Sequence, residues 1–151
     1  MQNKAHKGRG ALSALPGRFA TTTIEADEPP PERAPETRLR ATRAGRIVTR
    51  NQSPDIPFDQ SINPYMGCEH GCVYCYARPS HSYLDLSPGL DFETQIFYKP
   101  NAVSQLLDTW SKPGYRCEPI AIGANTDPYQ PAEKALEITR GLLAAFLAHQ
   151  H

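Results

Sequence analysis

The chain has 151 residues with 16 basic and 16 acidic side chains, a net formal charge of zero, which excludes a protein that binds polyanions through overall charge. No stretch offers the roughly 18 consecutive apolar residues of a membrane-spanning helix, and the opening Met1-Gln-Asn-Lys-Ala-His-Lys-Gly-Arg-Gly lacks the apolar core of a secretory signal. Four cysteines in such a chain point to reduced thiols and a cytoplasmic location.

Residues 1–55 predict a disordered basic, proline-rich N-terminal arm. Residues 1–50 hold ten Lys and Arg against five Asp and Glu, and Pro16, Gly17 and the Pro29-Pro30-Pro31 run break any helix or strand period. So charged a stretch has too little apolar surface to offset the entropy of ordering. Its cations, among them Lys4, Lys7, Arg9, Arg18, Arg38, Arg40, Arg43, Arg46 and Arg50, allow nucleic acid as an alternative partner. Phe19 is the one stacking aromatic among them.

The remainder, residues 56–151, reads as one α/β domain. Ser61-Ile-Asn-Pro-Tyr-Met is the first predicted strand and runs into Cys68-Glu-His-Gly-Cys-Val-Tyr-Cys75. Gly67 and Gly71 let the backbone turn tightly there. Tyr74 to Arg78 could open a helix that Pro79 interrupts, and residues 80–89 read as a loop with a Pro88-Gly89 turn. Asp91 to Lys99, rich in β-formers and stopped by Pro100, is the second strand. Asn101 is placed to cap a helix over Ala102–Trp110, whose Val103, Leu106, Leu107 and Trp110 fall at i, i+3, i+4 and i+7. The apolar run Pro119 to Ala124 is the third strand, and a helix over Ala135–Ala148 closes the chain. Three βα units result, and in such sheets ligands gather at the carboxyl ends of the strands. The cysteine loop, Lys99, and Asn125-Thr126-Asp127 each follow a strand, so they are expected on one rim. Cys117 precedes the third strand and reads as a structural thiol.

Three cysteines at the spacing C-x3-C-x2-C are too dense for core thiols or a disulfide framework. Their thiolates would repel one another without a cation among them. Structural zinc usually draws on two separate C-x2-4-C knuckles and four protein ligands. One compact triad instead suits a [4Fe–4S] cube with three irons held and one open. The residues alone leave two alternatives: a zinc site completed by His70 or Cys117, and a non-catalytic iron–sulfur module.

This loop, with an aromatic just before its third cysteine, resembles the signature of the radical S-adenosylmethionine (radical SAM) enzymes. The surrounding Asn63-Pro-Tyr-Met-Gly-Cys and Asn125-Thr-Asp-Pro-Tyr-Gln-Pro resemble the spore photoproduct lyase-like branch. The resemblance implies that Cys68, Cys72 and Cys75 bind a [4Fe–4S] cluster and that S-adenosylmethionine chelates its open iron. Reductive cleavage to a 5′-deoxyadenosyl radical would follow, with hydrogen abstraction from a substrate that the sequence does not name. Tyr74 would lie against the adenine, and Lys99, Asn125, Thr126 and Asp127 become candidate cofactor-binding residues. An electron donor of flavodoxin or ferredoxin type is implied as partner.

Two departures qualify the resemblance. Spore photoproduct lyases carry a hydrogen-donor cysteine where this chain has Ala124-Asn125, so thymine-dimer repair through that donor is not expected. Radical SAM cores resemble partial (β/α)6 barrels, of roughly 190 residues when scaled from an eight-unit barrel. Residues 61–151 provide room for about three units. The expected architecture is therefore the N-terminal part of a radical SAM partial barrel, incomplete and with impaired catalysis on its own.

Overall fold

The structure is a computed structural model that describes residues 8–19 and 35–151. Lys4, Lys7 and the Pro29-Pro30-Pro31 run, all read as part of the arm, lie outside the described residues. The chain is mixed α/β and divides into two compact units. The first comprises the described residues up to Arg40 together with Met66–Ile96, and the second comprises Ala41–Tyr65 with Phe97–His151.

In the second unit, β2 (Val48–Arg50) runs antiparallel to β3 (Gln60–Ile62), and β3 runs parallel to β6 (Ile120–Ile122). Val48 pairs with Ile62 on one side, and Ile62 with Ile122 on the other. Strand β3 is buried at every position, as the middle strand of a covered sheet must be. Strand β2 falls within the stretch read as a disordered arm. Two of its three side chains are exposed, so backbone pairing holds it in place, and hydropathy does not report backbone pairing. Three further short strands, β1 (Arg38–Ala41), β4 (Tyr65–Met66) and β5 (Gln95–Tyr98), make a second sheet in the order β1-β5-β4.

Helix α2 (Ala102–Trp110) occupies the span that its apolar period predicts. It buries Leu106 and packs against α4 (Ile138–His149), which buries Leu142. Gly141 permits the approach, since a Cβ there would stand 3.1 Å from Val103 Cγ2. Trp110 meets Phe146 edge to face at 5.2 Å. Asn101 precedes α2 as expected but makes no capping bond. Its side chain instead accepts from Ala44 N at 3.0 Å and donates to Ala44 O at 2.9 Å.

The last helix is not continuous. α3 (Glu133–Leu136) ends at Glu137, which takes φ 48°, before α4 begins. Glu133 supplies the reason: its buried carboxylate accepts from Thr139 N at 3.0 Å and Arg140 N at 2.9 Å. Both amides belong to the first turn of α4, where a helix has unpaired donors, so Glu133 caps α4 from the preceding turn. Tyr65 Oη donates to the same carboxylate.

In the first unit a 3-10 helix (Arg78–Leu84) starts at the proline rather than breaking there, because Pro79 occupies the first turn. The segment Asp91–Lys99, expected as one strand, is α1 (Leu90–Thr94) followed by β5. Side-chain bonds favour the helical turn. Asp91 Oδ2 accepts from Ser87 N at 2.9 Å, and Thr94 Oγ1 donates to Leu90 O at 2.8 Å. The turn also sends Phe92 and Glu93 together into the interior.

Candidate cysteine-loop centre

The loop begins at Gly67, where φ is +82° and an added Cβ would lie 2.9 Å from His81 Cε1 and from Phe92 O. Only glycine fits that position without displacing backbone. Cys68 follows, buried at 7% exposure, with its N–H donating to Phe92 O at 2.9 Å. It shares a small apolar cluster with Ala77 and Phe92, against which Cys75 packs. His81 closes the cluster edge-on to Phe92 at 5.2 Å and makes a 3.0 Å hydrogen bond between Nε2 and Gln95 O. Burial holds the His81 pKa below the usual imidazole value, against the opposing bond to Gln95 and the charge of Asp91.

Gly71 gives the loop its second turn, at φ +66°. Cys72 is exposed, and its carbonyl accepts from Cys75 N at 3.3 Å. Tyr74 is 86% exposed, and Val73 and Tyr76 also face outward. None of the four cysteines is disulfide-bonded. Among the described residues, no three His, Cys, Asp or Glu side chains stand close enough together to hold a metal ion. The donor set nonetheless fits a cluster chemically. It is three reduced thiols on one eight-residue loop, with Cys68 anchored and Cys72 reachable from solvent. Thiols without a cation have no force drawing them together, and ligand convergence couples to metal binding.

Two residues that the sequence reading did not single out organise this loop. Arg78 donates from Nε to Cys72 O at 3.0 Å and from Nη1 to Pro88 O and Gly89 O. Its Nη2 pairs with Glu93 Oε1 at 2.5 Å, and the Glu93 side chain is wholly buried. The guanidinium also lies over the Phe92 ring at 5.4 Å. The sequence signal was slight: one Arg three residues after the last cysteine, and one Glu inside an otherwise β-forming run.

Lys99, Asn125, Thr126 and Asp127 belong to the second unit. Asn63 gathers two of them: its carbonyl accepts from Lys99 Nζ at 2.6 Å, and its Oδ1 accepts from Asn125 N at 2.8 Å. Burial holds the Lys99 ammonium below the ordinary lysine range. Thr126 is buried and donates its hydroxyl to Tyr65 O at 2.8 Å. Asp127 Oδ1 accepts from Tyr129 N at 2.7 Å, closing an Asx turn around Pro128. Cys117 is exposed in this unit. Among the described residues no helix is long and apolar enough to cross a membrane.

No protein-family model matches the chain, and no solved structure matches it. It is similar to uncharacterised proteins of Mycobacterium bovis and of two Mycobacterium tuberculosis strains, 45% identical in each case over 93 residues. Those 93 residues are 62% of this chain and 27% of each relative, so the chain matches about a quarter of their length.

Proposed function

We propose that the chain is part of a radical SAM protein, in which Cys68, Cys72 and Cys75 hold a [4Fe–4S] cluster and S-adenosylmethionine takes the open iron. The observation that carries the reading is the C-x3-C-x2-C loop itself. Its first thiol is fixed by the Cys68–Phe92 bond, its turns are set by two positive-φ glycines, and its middle thiol is exposed. Bound there, cluster and cofactor would supply reductive cleavage to methionine and a 5′-deoxyadenosyl radical for hydrogen abstraction from a substrate. The chain's own residues anchor, turn and order the loop. Tyr74 offers an exposed ring beside Cys75 for an adenine face.

The roles of Lys99, Asn125, Thr126 and Asp127 towards the cofactor rest on the resemblance alone. The partial (β/α) barrel, a cytoplasmic setting and a flavodoxin- or ferredoxin-type electron donor belong to the same proposal.

Anaerobic reconstitution with iron and sulfide, reduction, and electron paramagnetic resonance with and without S-adenosylmethionine test the reading. A [4Fe–4S] signal that changes shape on adding the cofactor supports it in full. A cluster indifferent to the cofactor leaves an iron–sulfur module and removes the enzyme. Zinc in place of iron overturns the cluster.

A further inference from the structure

The described part of the N-terminal arm, residues 8–19, belongs to the unit that contains the cysteine loop. Three of its bonds converge on one residue. Gly10 N donates to Glu93 Oε2 at 3.0 Å, and Ala11 N to Glu93 Oε1 at 2.9 Å. Arg9 Nη1 donates to Glu93 O at 2.8 Å. Glu93 also receives Arg78, which in turn holds the Cys72 carbonyl. The buried carboxylate thus has the arm on one side and the loop, through Arg78, on the other.

Two close approaches fix the fit. A Cβ on Gly10 would stand 1.7 Å from Gly71 O, so the arm lies directly on the middle of the cysteine loop. A Cβ on Gly89 would stand 2.3 Å from Ser13 O, which also accepts from Leu90 N at 3.3 Å. Further along, Arg18 N donates to Ser82 Oγ and Phe19 meets the Tyr83 ring at 5.2 Å. Without the arm, a wholly buried carboxylate would keep one charged partner and lose two amide donors.

We propose that residues 9–13 are a strap that sets the conformation of the cysteine loop, with Glu93 the positioning residue that couples strap to loop. The consequence for a cluster rests on the radical SAM reading; the coupling itself does not. The strap's glycine is then a steric requirement: Gly10 is small because Gly71 O lies where its side chain would be. The basic residue Arg9 acts inside the protein, and its guanidinium is spent on Glu93 O, Pro35 O and Thr37 Oγ1.

The test compares the full apo chain with Gly10→Ala, which inserts the clash, and Ala11→Pro, which removes one donor to Glu93 without touching Gly71. Leu15→Ala, at an arm side chain beyond the strap that is 62% exposed, is the control. Alkylation of buried Cys68 is followed by mass spectrometry, with exposed Cys117 of the other unit as internal reference and Trp110 emission as a check on folding there. Both strap variants should raise the Cys68 rate at least about tenfold, the factor expected for loss of one charged hydrogen bond. The Cys117 rate should stay constant. Amide exchange should quicken across residues 66–78 in both. Wild-type Cys68 rates in both strap variants, or equal acceleration at Cys117, overturn the proposal. Strap effects in both variants, together with a wild-type chain that binds no cluster on reconstitution, uphold the strap and sink the cluster. A reconstituted cluster with identical resonance spectra in wild type and in both variants overturns the strap's role at the cluster.

Discussion

Replacing Arg78 by methionine removes the guanidinium, and with it the ion pair and the contact over the Phe92 ring, while an apolar side chain of similar length stays in place. Arg78 and Glu93 side chains are 12% and 0% exposed, with 2.5 Å between Nη2 and Oε1. Breaking a pair this deeply buried leaves a charge without its counter-ion and costs about 3–5 kcal/mol. Glu93 would keep the amides of Gly10 and Ala11. Cys72 O, freed from Nε, sits at an exposed rim where water replaces the donor. The carbonyls of Pro88 and Gly89, both part-buried, lose their Nη1 donor as well, so the expected cost stays within about 3–5 kcal/mol. Hydrogen exchange of peptides within Met66–Ile96 against denaturant gives the opening free energy of this unit directly. Glu93→Gln and the double variant complete a cycle, with an expected coupling of about 1.5 kcal/mol or more. A loss under about 1 kcal/mol for Arg78→Met, or additivity across the cycle, would refute the claim that one buried pair organises the loop.

Gly67→Ala places a β-carbon 2.9 Å from Phe92 O in a left-handed backbone conformation and should cost about 2–4 kcal/mol in the same exchange experiment; wild-type stability would mean that the loop can re-route. Tyr65→Phe removes the donor to Glu133 in the second unit and should cost about 1.5–3 kcal/mol, read from urea unfolding through Trp110 emission; an unchanged midpoint would mean that the Tyr65–Glu133 bond contributes nothing to the stability of this unit. Because burial depresses the His81 pKa in the folded state, the unfolded chain binds more protons as pH falls below about 6.5. Stability from this group is therefore complete above that pH and declines beneath it towards the folded value. His81→Gln should flatten the decline, and an equally steep variant would assign it to other groups.

What the sequence made legible is what periodicity and spacing encode. Helix α2 and the strand at Ile120–Ile122 lie where the apolar pattern puts them. The loop glycines carry the positive φ expected of them. The illegible parts depend on partners remote in sequence. Asn101 looks like a cap but bonds Ala44, 57 residues away. Glu93 sits in a β-forming run yet turns inward to Gly10, 83 residues away. The arm reads as disordered because its composition is polar and broken, while bonds of its described part at Gly10, Ala11 and Arg18 are made by backbone amides that composition cannot report. Among the expected cofactor ligands, Lys99 and Asn125 proved to share Asn63, a residue quoted only as part of a motif.

The 83-residue separation between Gly10 and its acceptor also sets a timetable. At a synthesis rate of about 5–20 residues per second, the strap leaves the ribosome roughly 4–17 s before Glu93 emerges for it to bind. For that interval it waits in water beside other unfinished chains. Gly10, Pro16 and Gly17 interrupt any run that could pair as a strand in the meantime. The glycine that later lets the arm lie on the cysteine loop therefore also helps keep the nascent segment from pairing elsewhere.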